Sequence, residues 1–187
     1  GGWNFSWGSC CRPSSIDNIV SGSMASSTKI YSHTILPVQE QLTPQVTFES
    51  NDTNNIIMGI ANTGYDSVWY KLTSCKTNGT VYPLTDVTYA VGYSATNPLP
   101  GPIQNVNNTG LSLNGNTGIG TFYSATTGGF NIGVMTECYI GGQLIAEVQK
   151  EFPVIILPAS SSSSTNNSPV VSVGVKDSLK NTITKLG

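Results

Sequence analysis

From Lys29 to Leu157 the chain is interrupted every few residues by Gly, Asn, Pro or Asp. The stretches between are rich in Val, Ile, Thr, Tyr and Phe. This punctuation constrains the fold more than any other feature. β-Branched and aromatic side chains suit a pleated, half-buried surface and lose rotamer freedom in a helix. Val68-Trp69-Tyr70-Lys71-Leu72 and Val87-Thr88-Tyr89-Ala90-Val91 alternate with period two, as a strand with one buried face does. No window of helical length in this body carries a clean apolar stripe. The pattern predicts strands over Lys29–Leu36, Gln45–Glu49, Asn55–Ala61, Ser67–Ser74, Thr80–Leu84, Val87–Tyr93, Gly110–Leu113, Gly118–Thr126, Phe130–Ile140 and Gln143–Leu157. Ile140-Gly141-Gly142-Gln143 reads as a tight hairpin turn, and Asn97-Pro98-Leu99-Pro100-Gly101-Pro102 as a loop. Many short strands, close turn signals and no helix imply an all-β chain folded as a β-sandwich.

A length of 187 residues is enough for one domain with a core and one appendage. Eight basic and ten acidic residues leave a net charge of −2, which excludes the basic face that nucleic acid requires. The longest apolar run, Val154–Leu157, is too short to span a bilayer. Polarity comes instead from Ser, Thr and Asn. Few titrating groups mean little linkage between pH and folding, which suits an extracellular protein in an acidic or variable medium. The absence of an initiating Met at Gly1 leads us to expect a processed, secreted chain. Sequons at Asn4, Asn51, Asn78, Asn107 and Asn166 fit that expectation as N-glycosylation sites, though a chain so rich in Asn, Ser and Thr also generates sequons by chance.

Cys10, Cys11, Cys75 and Cys138 allow three disulfide pairings. A bridge between the neighbours Cys10 and Cys11 would be strained. Each is therefore expected to reach a different partner, Cys75 or Cys138, stapling the N-terminal segment to two strands. The spacing matches no zinc site, and His33 is the sole histidine.

Composition changes at Pro158. Residues 1–158 form the expected head, 159–169 a Ser-rich linker, and 170–187 a tail reading VVSVGVKDSLKNTITKLG. The linker, extended, spans roughly 35–40 Å. In the tail Val171, Val173, Val175, Leu179 and Ile183 fall on odd positions and polar residues on most even ones, a strand pattern. Val175, Leu179, Ile183 and Leu186 also lie near helical spacing, but Gly174 and the β-branched residues favour a strand. Burying five such side chains yields about 8–15 kcal/mol gross. Ordering the segment costs as much or more, at about 1–2 kcal/mol per residue. The tail therefore needs a sheet edge to pair with, as in strand addition. That edge is either its own domain's or that of the next copy. A last strand of the same sheet needs no long spacer, so the neighbour's edge is favoured, and head-to-tail insertion builds an open filament. Trp3-Asn4-Phe5-Ser6-Trp7 also alternates; it reads as a strand of the body and as the rival donor.

This layout of a helix-poor head, sequons, linker and alternating tail resembles the subunit of archaeal threads, the glycosylated filaments of thermoacidophilic crenarchaea joined by donor-strand complementation. In principle it is also similar to bacterial type I pilins, although their donor is N-terminal. The resemblance implies an immunoglobulin-like or pilin-like sandwich, incomplete until a neighbour donates its strand. It further implies a cell-surface, pilus-like homopolymer with N-linked glycans, no other cofactor, an unidentified tip or anchor protein, and roles near adhesion or biofilm.

No enzyme is expected. His33 lies in a strand context, and no Gly-x-Ser-x-Gly elbow occurs. Asp52, Asp66, Asp86, Glu137, Glu147 and Glu151 are scattered, with Glu147 and Glu151 flanking Lys150 on an expected exposed face. Arg12 is the only arginine. Trp3, Trp7, Trp69, Tyr70, Tyr89 and Tyr93 either fill the core or an interface or line a sugar-binding face. The latter would make the chain a secreted carbohydrate-binding or adhesin module. A surface-layer component is a third reading.

Overall fold

The computed structural model describes residues 2–9, 12, 15–20, 22–31, 45–59, 64–77 and 83–160. Described strands are β1 (Trp3–Ser9), β2 (Met24–Ile30), β3 (Val46–Glu49), β4 (Thr53–Ile57), β5 (Ser67–Leu72), β6 (Lys76–Thr77), β7 (Thr85–Asp86), β8 (Ser112–Leu113), β9 (Ile119–Tyr123), β10 (Gly128–Ile140) and β11 (Gln143–Leu157). No helix occurs among the described residues. The protein is all-β, and its described strands form two sheets of unequal size.

The large sheet grows from the β10–β11 hairpin. Gly141 and Gly142 both have positive φ, the backbone that a two-residue turn joining right-twisted strands demands. The antiparallel ladder runs from Gly128↔Ile156 to Ile140↔Gln143 with one irregularity at Cys138/Tyr139. β5 pairs with the outer edge of β10. On the other side, β2 pairs with β11 over Ala146–Gln149, and β3 pairs parallel to it over Val154–Leu157. Pro153, which lacks an N–H, falls in the gap between those two ladders. β6 and β7 extend from β2, and β1 pairs with β2 along its whole length.

The small sheet, β4-β9-β8, packs its apolar residues against one part of the large sheet and not against the cluster at the hairpin end. Its Ile56 and Phe122, with the adjoining Met58, bury against Tyr70, Phe130, Ile132, Val134, Phe152, Val154 and Ile156. Phe122 meets Phe48 edge-on, ring centroids 5.2 Å apart. Tyr65, Cys138, Ile145, Ala146 and Val148 form a second cluster toward the hairpin end. A buried amide ties the N-terminal segment to β10. Asn18 Nδ2 donates to the carbonyls of Pro98 (2.8 Å) and Asn131 (2.7 Å), while its Oδ1 accepts from Asn131 N (3.0 Å).

Several expected strands shift. The Val87–Tyr93 alternation gives no strand, only a bridge between Ile19 and Tyr89. Val87 and Tyr89 turn toward the Ile19–Cys75 cluster, while Gly92 has positive φ and Tyr93 N closes a turn on Ala90 O. β2 begins earlier than expected, at Met24, because its first half is Ser- and Thr-rich and lacks an apolar signal. Positions 80–82 of the expected Thr80–Leu84 strand lie outside the described residues, and Leu84 is in a loop.

Removing Phe122 takes the centre out of the contact between sheets. Phe122→Ala should destabilise the full chain by about 3–5 kcal/mol in chemical denaturation; a loss under about 1 kcal/mol would show that the two sheets do not share one core.

Candidate functional site

Residues paired across adjacent strands share a face of the sheet. Trp3 is opposite Ile30, which is opposite Ala146; Phe5 is opposite Thr28, which is opposite Val148; Trp7 is opposite Ser26. The three β1 aromatics therefore stand on the core face of the large sheet. Yet they are 60, 57 and 50 % exposed, while Ile30, Ala146 and Val148 are buried. Among the described strands β2 is the only ladder partner of β1. An edge strand that holds three aromatics half in water is a template for pairing with another chain.

The start of β1 and the end of β11 lie far apart on this sheet. Trp3 shares a row with Ala146, close to the hairpin turn, whereas β11 ends at Leu157 beside Glu49. The rows are separated by about 36 Å at about 3.3 Å per residue. The chain thus leaves the large sheet at the end opposite the start of β1. The donor candidates Val171, Val173, Val175, Leu179 and Ile183, and the sequons Asn78 and Asn166, lie outside the described residues. Asn4, Asn51 and Asn107 are exposed, as an acceptor asparagine must be.

Cys75 and Cys138 are buried and carry free thiols. Cys10 and Cys11 lie outside the described residues, but their neighbours are placed. Ser9 is opposite Met24, whereas Cys138 shares the row of Ala146 and Ile30. That puts the Ser9 row about 20 Å along the sheet from Cys138. Arg12, by contrast, donates from Nη2 to the carbonyl of Lys76, the residue after Cys75. Burial pushes the Cys138 thiol up to about 11 and raises that of Cys75 further. Neither forms a thiolate near neutrality, so neither is an activated nucleophile.

The carboxylates are held by partners. Glu151, expected on an exposed face, is buried at 4 %, and Lys150 beside it is buried too. The reason is that Arg12 of the N-terminal segment and Lys76 of β6 lie over this middle part of β11, which is buried on both faces over residues 148–152. Arg12 grips Glu151 through Nε–Oε2 (3.1 Å) and Nη2–Oε1 (2.7 Å), and Lys76 N and Asn131 Nδ2 also donate to the carboxylate. Burial raises the Glu151 pKa and outweighs these donors. Glu137 differs: burial raises it, but hydrogen bonds from Lys71 and Tyr139 win and hold it below the ordinary range. Glu147 accepts from Tyr31, and Asp86 from Lys76. Among the described residues no group of three His, Cys, Asp or Glu could hold a metal ion. His33 lies outside them.

Comparison with protein families, curated proteins and solved structures finds no match.

The signs of these shifts are testable. A folded-state pKa raised on an acid means that stability falls as pH rises from the unfolded value, near 4.3, through the folded one. Arg12→Met leaves the Glu151 charge buried without its cation, which should cost about 3–5 kcal/mol at pH 7. At pH 4, where Glu151 takes up a proton, the deficit should be clearly smaller. Urea denaturation at both pH values reads this directly; an equal deficit would contradict the buried ion pair.

Proposed function

We propose that this chain is the structural subunit of an extracellular, pilus-like filament, assembled head-to-tail by donor-strand complementation and serving adhesion or biofilm formation. The donor is the tail at about residues 170–184, with Val171, Val173, Val175, Leu179 and Ile183 as the inserting side chains. The acceptor is the β1 edge of the next copy. The observation that carries this reading is the placement of β1. Its aromatics lie on the core face, from the row of Ala146 near the hairpin turn to the middle of β11, and are half exposed, while β11 ends at the other end of the sheet.

That polarity favours a heterologous, non-closing contact. A tail leaving the far end of one head meets the β1 end of a head stacked beyond it, and the Ser-rich linker bridges the junction. Inserted apolar side chains would extend the core face of the large sheet past Ile30 and over Phe5 and Trp7. Backbone pairing would supply the remaining stabilisation that the tail lacks in isolation. Glycans on exposed sequons such as Asn51 and Asn107 would coat the fibre away from this edge.

Val173→Asp places a charge in the inserting row. It should abolish fibres in negative-stain images while circular dichroism shows the head still folded. Trp7→Glu on the acceptor side should do the same. Fibres of normal length from both variants would sink the proposal.

A further inference from the structure

The opposite face of the large sheet carries a second feature, away from β1. Trp69 lies on β5 with its side chain on the solvent side, opposite Glu137 on β10, which is in turn opposite Glu147 on β11. The indole is 46 % exposed. It lines an open depression of about 400 Å³ together with Ser67, Val68, Asn116, Glu137 and Tyr139.

The turn beside the indole and the carboxylate at the rim are held in place. A Cβ on Gly115 would come within 2.7 Å of the Trp69 ring, so the 114–118 turn lies against the indole as only glycine allows. Tyr70 N anchors that turn by donating to Gly115 O at 2.8 Å. Asn116 is set by Asn114, whose Oδ1 accepts from Asn116 N (2.9 Å) and Thr117 N (3.1 Å). Glu137 is fixed by Lys71 and by the Tyr139 hydroxyl, which donates to Oε2 at 3.0 Å.

We infer that this depression is a saccharide-binding subsite. The exposed indole offers a flat apolar surface to the C–H face of a pyranose ring. The amide of Asn116, the hydroxyls of Ser67 and Tyr139 and the carboxylate of Glu137 supply donors and acceptors at its rim for sugar hydroxyls. Lys71 neutralises Glu137, so no net charge selects an ionic ligand; the ligand is neutral and hydroxyl-rich. The volume falls within the ~300–1,000 Å³ of small-ligand clefts. Glu137 and Tyr139, already bonded to each other, lose little entropy on contact. The row of Trp69, Glu137, Glu147 and Lys29 continues the polar face across four strands, which gives a longer glycan a track beyond the first ring. The inference does not rest on the filament reading, because the site lies on the face opposite the β1 aromatics.

The test is calorimetric titration of the full chain, on its monomeric fraction, with laminarihexaose, cellohexaose, mannohexaose and chitohexaose. At least one should bind. Trp69→Ala should weaken that binding about tenfold, matching the loss of about 1.4 kcal/mol of stacking. Trp69→Phe should retain most of it, and Val91→Ala, at a fully exposed residue outside the depression, should leave it unchanged. Should Trp69→Ala fail to fold, Asn116→Ala decides, with an expected loss of about fivefold. Absence of binding to all four sugars overturns the inference. So does binding by the wild type that survives Trp69→Ala, or Asn116→Ala where that variant decides.

Discussion

The backbone ladder between β10 and β11 is the interaction on which the rest of the large sheet depends. It joins strands of 13 and 15 residues. β5 pairs with β10, and β2 and β3 with β11. β1 and β6 reach the ladder only through β2. Strands this long make a tall sheet, whereas those of the counter-sheet have five residues or fewer. The mismatch in height leaves the hairpin end of the core face beyond the cluster that the small sheet covers, and Trp3 and Phe5 of β1 lie in its rows. The assembly proposal follows from this inequality between sheets more than from any single residue.

Burial on both faces of β11 also explains the chain's one arginine. Glu151 sits where a carboxylate cannot be solvated, and Arg12 reaches it from the N-terminal segment. Both side chains are nearly inaccessible, so the pair acts as a buried clasp between that segment and the sheet. A clasp of this kind contributes orientation, and removing one partner costs far more than replacing both. It coexists with a surface of hydroxyls and amides that carries little charge.

The hairpin, the strand-rich body and the all-β class were legible in the sequence. Gly141-Gly142 between two long β-branched runs allowed hardly any other reading. What was missed shares a physical cause. Val87–Val91 alternates as a strand does, but tertiary contacts take only Val87 and Tyr89 and leave Val91 fully exposed. Met24–Thr28 is polar by composition and becomes a strand because β1 and β11 flank it. Glu151 looks solvent-facing because local alternation cannot report a cover supplied by residues far away in the chain. Trp69 was visible as an aromatic, but its setting depends on Gly115 and Glu137, which are distant in sequence. For the proposed acceptor edge, the alternation of Trp3, Phe5 and Trp7 was legible, and the register added that they face the core side.

The central claim is that the tail connects one head to the next. It is tested most directly by comparing the full chain with a form ending at Pro158, using negative-stain microscopy and sizing. The account predicts fibres from the full chain and folded monomers from the shortened one. Fibres from both would move the donor role to β1, and monomers from both would contradict the filament altogether.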